Sequence, residues 1–315
     1  MQPLSVAAVD HEFVDASGVR FHVAMQGEGD RLALLLHGFP ECWYSWRHQI
    51  PLFASLGYRV WAPDLRGYGR SAKPTGIAAY SVEALMRDVA ALIDASGART
   101  VTLVGHDWGG IIAWFFAIRR LRPLDRLVVM NAPHPFAAAP AFRTWKQRWR
   151  SLYALFFQLP GLPELLLRAH GHRAVGEAMR GNCVHPDRFP DEDLAVFREE
   201  AARRGALTGM LDNYCAFVRG GGWARQKALG AEVIETPTLL IWGEQDVALT
   251  KETTDGTAAW VADLTTHYLP DASHWVQQDV PDEVAAILTG WLAEPPRSEA
   301  KTRRNGDENQ DRRKA

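Results

Sequence analysis

Residues 104–110 read V-G-H-D-W-G-G, after the β-rich run T-V-T-L and before the apolar stretch I-I-A-W-F-F-A-I. Glycine, any residue, a polar residue, any residue and glycine, set between a strand and a helix, form the frame of a nucleophile elbow. The polar position holds Asp107 where serine is usual. Aspartate is also a favoured helix N-cap, and the two roles are compatible. A helix N-terminus stabilises negative charge, so Asp107 is expected to be ionised at neutral pH. A carboxylate attacking an ester or amide makes only an anhydride. Attacking a saturated carbon that bears a leaving group, it makes an alkyl ester that water then cleaves. The chemistry indicated is displacement at an epoxide or alkyl halide carbon.

The second step needs a base and a group to orient it. His274, in D-A-S-H-W-V-Q-Q, lies just beyond the last strand candidate, and Asp246, in I-W-G-E-Q-D-V, follows the strand before it. His274 is placed to activate water while Asp246 fixes its tautomer, and the order nucleophile, acid, histidine is a known triad order. The alternatives are an Asx-turn residue at Asp246 and a loop histidine at His274. H-G-F-P-E-C-W-Y-S-W, residues 37–46, follows another strand candidate. There the backbone amides of Phe39 and Trp108 would form an oxyanion hole, the alternative being a plain strand-to-helix turn. The Phe39–Pro40 bond is a candidate cis peptide.

These residues need a scaffold that brings distant loops together. Strand candidates at 31–36, 58–62, 100–104 and 125–130 are nearly continuous apolar runs, as in a parallel sheet covered on both faces. Runs at 11–16 and 19–25 alternate and suit an antiparallel edge. Helical periodicity covers 80–95 and 108–121. After 231 the rhythm resumes with T-P-T-L-L-I-W-G, a helix near 251–262, T-T-H-Y-L-P and a helix at 282–293. Between 136 and 230 the strands stop and the pattern is helical. The expected organisation is an α/β core of residues 1–135 and 231–296, with a helical cap at 136–230 roofing the strand ends. Pro295–Pro296 marks the end of the fold, and 297–315, with eleven charged residues and no large apolar side chain, is expected to be a disordered tail.

Composition sets outer bounds. An apolar share of 47%, a charged share of 23% and a net charge of −2 describe an ordinary globular protein with no electrostatic case for nucleic acid. No apolar run reaches membrane-spanning length, the start has no signal-peptide pattern, and Cys42, Cys183 and Cys215 lack metal or disulfide spacing. The expected setting is the cytoplasm, as a monomer or homodimer.

Taken together, H-G-F-P, D-L-R-G-Y-G-R-S (64–71), G-H-D-W-G-G and N-A-P-H-P (131–135) resemble the epoxide hydrolases of the α/β-hydrolase fold, from about residue 10 to 294. The resemblance implies a mostly parallel sheet flanked by helices with an inserted helical cap, and a small-molecule epoxide as substrate. No metal and no organic cofactor are implied. It also implies two cap tyrosines that protonate the leaving oxygen. S-L-Y-A-L-F-F-Q-L-P-G-L-P-E is similar to the segment holding the first, at Tyr153, and G-M-L-D-N-Y-C-A to the segment holding the second, at Tyr214. A phenol with an ordinary pKa near ~10 is a proton donor at neutral pH. On spacing alone, Trp145, Trp149, Tyr153 and Phe157 form a helical stripe, and Tyr214 shares a face with Leu211 and Val218, which is how core residues repeat.

The alternative substrate class is haloalkanes, because G-H-D-W-G-G is similar in haloalkane dehalogenases and Trp108 is placed to donate to halide. Those enzymes commonly hold asparagine where Phe39 stands or use a second tryptophan, and fluoroacetate-type members carry arginines just after the nucleophile, whereas none stands between Asp107 and Arg119 here. A catalytically silent receptor would have lost a triad residue, and none is lost. Phe39 and Trp108 are also expected to touch substrate, while His106 and His134 remain open between lining the site and supporting loops.

Overall fold

The structure, a computed structural model, describes residues 9–228, 230 and 232–294. The double proline and the charged tail of the sequence reading lie outside the described residues. Six short segments, most of them apolar, that cannot satisfy their backbone alone pair side by side, flanked by an antiparallel edge. In chain order the elements of the first half are β1 (Asp10–Ala16), β2 (Val19–Gln26), β3 (Arg31–Leu36), α1 (Gln49–Ser55), β4 (Arg59–Pro63), α2 (Val82–Ser96), β5 (Thr100–His106), α3 (Trp108–Ile118) and β6 (Arg126–Met130). Six helices follow without a strand: α4 (Trp145–Arg150), α5 (Leu152–Phe156), α6 (Leu162–Arg180), α7 (Asp191–Ala202), α8 (Ala206–Arg219) and α9 (Gly222–Ala228). The chain then returns through β7 (Thr238–Gly243), β8 (Leu264–Leu269), α10 (Val276–Asp279) and α11 (Pro281–Ala293).

The strands form one eight-stranded sheet in the order β1-β2-β4-β3-β5-β6-β7-β8. β1 with β2 and β2 with β4 are antiparallel, and all other neighbours are parallel. Leu32 through Leu36 are fully buried, as are β6 and β7 almost throughout, which explains their unbroken apolar sequence. α3 crosses the middle of the sheet. Its W-G-G-I-I-A-W-F-F-A-I sequence is apolar all round because nearly every face is covered. α2 is amphipathic by contrast. Its Ser81 hydroxyl caps Ala84 N–H, and Gly97 ends it in the left-handed conformation.

Three expectations change in the structure. The helix read near 251–262 is two single 3₁₀ turns, Lys251–Thr254 and Thr257–Ala259, with Gly256 between them at φ 76°. The Thr253, Thr254 and Thr257 hydroxyls donate to backbone carbonyls three residues back, which competes with helix continuation, and the left-handed glycine ends it. The helix read as 108–121 stops at Ile118, because Arg120 takes φ 48°. The four-residue stripe from Trp145 to Phe157 is not one buried helix face. The helix breaks at Ser151, and Trp145 and Trp149 are exposed while Phe157 is buried.

The tightest steric constraint is where α3 meets the sheet. A Cβ on Gly105 would overlap the Gly109 carbonyl, and one on Gly109 would overlap the Leu36 carbonyl of β3. Gly109→Ala is therefore expected to push α3 off β3 and β5, costing about 3 kcal/mol, the upper end for overpacking a filled interior. Urea unfolding checks it, and a loss below about 1 kcal/mol would mean that the backbone relaxes without strain.

Candidate active site

The turn between β5 and α3 is one residue long. Asp107 occupies it at φ 49°, ψ −118°, a region that side-chain-bearing residues seldom enter and that costs free energy to hold. It stands at the N-cap position, yet its side chain makes no capping bond. The carboxylate is turned the other way, and Oδ1 accepts the Phe39 amide at 2.8 Å. Phe39–Pro40 is a cis peptide. Trp108, as the first residue of α3, has an amide with no place in the helical ladder. Of the two amides named from sequence, that of Phe39 meets the carboxylate directly and that of Trp108 belongs to the residue next to it in the chain.

Behind Asp107 stands His274, on the loop after β8. Its Nε2 lies 3.5 Å from Asp107 Oδ2, and its Nδ1 is 2.6 Å from Asp246 Oδ2. Asp246, after β7, uses both carboxylate oxygens. Oδ1 accepts the Ala248 and Leu249 amides at 2.8 Å each, which is an Asx-type turn, and Oδ2 takes the histidine and the Asn131 side-chain amide at 2.8 Å. The turn role and the role of histidine partner are thus both occupied. Asn131 also accepts Gly243 N–H at 2.9 Å, so β6 and β7 hold the orienting carboxylate jointly.

Burial alone would raise the Asp107 carboxyl. The His274 hydrogen bond and charge, then His106 and the Phe39 amide, outweigh it and hold Asp107 below the ordinary carboxylate range. Asp246 behaves likewise, with burial opposed by the His274 charge and hydrogen bond and by Asn131. Burial lowers His274, but Asp246 and then Asp107 raise it further, and the net displacement is well upward. The resting arrangement is two carboxylates sharing one imidazolium.

A second buried polar layer, which the sequence reading did not find, lies beneath the first. Glu41 Oε2 accepts the Gly38 amide and faces His106 Nδ1, both at 2.8 Å, while Oε1 accepts the Gln278 side chain at 2.8 Å. His106 Nε2 meets the His274 backbone carbonyl at 2.9 Å. Both ring nitrogens thus have a buried partner. His106 therefore supports the triad from below and does not line the cavity. The glutamate after H-G-F-P and the histidine before Asp107 were the available signal, but only folding sets them 2.8 Å apart. His134 is also a support: it accepts the Phe136 and Ala137 amides, stacks on Trp260, and burial brings its pKa down to about 3.

Above Asp107 a cavity of about 460 Å³ opens between the C-terminal end of β5 and helices α4, α5 and α8. Its walls are mostly apolar, with Trp108, Ile111, Phe217 and Leu249 among them, and Tyr153 and Tyr214 also face it. α8 buries Leu207, Met210, Leu211 and Tyr214, the i, i+3, i+4, i+7 face that fixes the second tyrosine, while Val218 is exposed at the rim. The tyrosine rings meet edge to face at 6.0 Å, and Tyr214 meets Trp108 in the same way at 5.0 Å. Desolvation, then the charge on Asp107 and Asp246, hold the Tyr153 phenol above its ordinary value. Tyr214 is raised well above it by burial, then by Tyr153 and Asp107. Both phenols are protonated across the whole neutral range. The Phe39 ring is not among the described cavity walls. It packs on Phe157 and Tyr214, so Phe39 reaches the site through its amide.

The family profile described as alpha/beta hydrolase fold matches residues 34–281. Epoxide hydrolase 3 of Xenopus tropicalis is 39% identical over 285 residues, covering 88% of this chain and 76% of that protein. Epoxide hydrolase A of Mycobacterium tuberculosis is 35% identical over 319 residues, covering 91% and 98%. Among solved structures, an inhibitor complex of the Bacillus megaterium epoxide hydrolase superposes with a TM-score of 0.81 at 29% identity, covering 90% of this chain and all of that one. Fold, site and relatives agree, and the chain belongs to the α/β-hydrolase fold family and, within it, to the epoxide hydrolases.

Proposed function

We propose that this protein opens an apolar or aryl epoxide to a vicinal diol through a covalent ester on Asp107. The observation that carries the reading is the pair of protonated phenols, Tyr153 and Tyr214, on the same cavity as an ionised Asp107. A halide leaves as a stable anion and needs only hydrogen bonds, whereas an epoxide leaves as a strongly basic alkoxide and needs a proton. The relatives named as epoxide hydrolases support the same choice.

In the first step a carboxylate oxygen of Asp107 bonds to a ring carbon and the carbon–oxygen bond of the ring breaks. The departing oxygen takes a proton from Tyr153 or Tyr214, leaving a hydroxyalkyl ester. Esterification removes the Asp107 charge, one of the two that hold the proton on His274, so that proton passes to the tyrosinate just formed and leaves a neutral imidazole to act as a base. In the second step His274 takes a proton from water, and the hydroxide oxygen attacks the ester carbonyl. The amides of Phe39 and Trp108 receive the developing oxyanion. Collapse breaks the ester, the diol oxygen takes a proton from the imidazolium, and the Asp107 carboxylic acid so formed returns its own proton to His274, which restores the resting pair. Residues 136–230 act in this reading as a cap that keeps bulk water from the ester, over a core of 1–135 and 231–296. The free cysteines suit a reducing compartment such as the cytoplasm, and the protein acts as a monomer or homodimer.

Trp108 on the cavity wall is the one feature that favours haloalkane dehalogenation as a second reading. Incubation with styrene oxide, a long-chain terminal epoxide and a bromoalkane separates the two. Diol without bromide is expected, and bromide without diol would make the tyrosines packing residues. Tyr153→Phe and Tyr214→Phe are each expected to slow the alkylation step by about 10²-fold or more, the range of a positioned general acid. Stopped-flow Trp fluorescence reads that step, and an unchanged rate removes the residue from the mechanism. His274→Gln should stop turnover after the first step, so intact-mass measurement should find the protein heavier by one epoxide. An inactive variant with no adduct would count against the two-step route.

A further inference from the structure

Exposed apolar side chains are ordinary when scattered, but here they are concentrated. Of fourteen large hydrophobic residues exposed among the described residues, nine fall between positions 145 and 166. Trp145 is 75% exposed, Trp149 64%, Leu155 60% and Leu165 66%. Trp145, Trp149, Leu152 and Leu155 also line the cavity, so the first part of this stretch stands at its mouth and the rest continues from it along the chain.

The same stretch is strongly basic. Residues 143–173 contain six arginines and lysines against a single carboxylate, Glu164, in a chain whose net charge is −2. Lys146 pairs with Glu252, Arg173 with Glu177, and Arg150 donates to the Asp246 carbonyl. Arg143, Arg148 and Arg168 form no ion pair among the described residues.

We infer that this face, from Arg143 to Arg168, docks on an anionic lipid surface with the cavity mouth against the membrane. Tryptophan and leucine flanked by arginine is the composition of surfaces that lie in the lipid headgroup region, with apolar side chains entering the acyl boundary and cations meeting lipid phosphates. A second copy of this chain is a poorer occupant. A two-fold contact sets a patch against itself, and here it would bring unpaired arginines together. The docking stands on the surface alone. What it adds to function, direct entry of an epoxide dissolved in lipid, rests on the proposed activity.

The test is co-sedimentation of the full chain with vesicles of phosphatidylcholine alone or with one-third phosphatidylglycerol. Binding is expected to the mixed vesicles and to weaken sharply as added salt shortens the screening length from about 10 Å toward about 3 Å. Arg143→Gln and Arg168→Gln should each weaken binding about five-fold, the effect of one charge near an anionic surface. The double variant Leu165→Ser/Leu166→Ser should weaken it as well. All these variants should turn over a water-soluble epoxide at the parent rate, which verifies their fold. Failure of the active parent protein to sediment with mixed vesicles overturns the inference, as does binding that none of the substitutions alters. A dimer in lipid-free solution that Leu165→Ser/Leu166→Ser dissociates, without vesicle binding, assigns the face to a second copy and also overturns it. Vesicle binding without turnover of any epoxide would instead refute the activity and leave the docking intact.

Discussion

A carboxylate at the floor of a largely apolar cavity must stay ionised if it is to attack carbon as proposed, although burial alone would favour its neutral form. Most of the polar architecture around Asp107 follows from that conflict. One oxygen is held by the Phe39 amide and the other faces His274, whose own charge is held by Asp246. Asp246 is in turn held by Asn131 and two backbone amides. Each layer answers a cost created by the layer above it, since a buried charge without partners is far more expensive than one inside a complete network. The network ends at Glu41 and His106, which tie the loop after β3 to the backbone of His274.

The arrangement depends equally on backbone sterics. Asp107 can hold its unusual conformation only because β5 and α3 are clamped on either side of it, and that clamp closes only with glycine at 105 and 109. The same close approach aligns the start of α3 with the loop after β3, so a packing constraint and an electrostatic one are met by a single turn. The inserted helices need no such precision from sequence neighbours. They have to present two phenols and an apolar wall, and α8 does so with an ordinary amphipathic repeat.

In the proposed mechanism the cavity also decides how the two steps are timed. The imidazolium of the resting site is stabilised by two carboxylates, so ester formation on one of them weakens the hold on the proton when a base is next required. Phenols kept protonated by burial first, and by the same negative charge after it, stand ready for the leaving oxygen. One buried charge therefore contributes to the protonation of three other groups.

Much of this was determined by sequence alone, because some physics is local. The glycine frame around Asp107, the unbroken apolar runs of the parallel strands and the alternation of the edge pair follow from short-range sterics and burial. The order of Asp107, Asp246 and His274, after β5, β7 and β8, is likewise visible along the chain. Other features were decided only in three dimensions. The threonine-rich segment after Thr250 has helical spacing, but hydroxyl-to-carbonyl bonds and Gly256 turn it into 3₁₀ turns. The aromatic stripe from Trp145 reads as core, yet the break at Ser151 and the cavity beside it leave both tryptophans in the open. The Glu41–His106 pair joins residues 65 positions apart, and no periodicity records a contact that exists only once the sheet has closed.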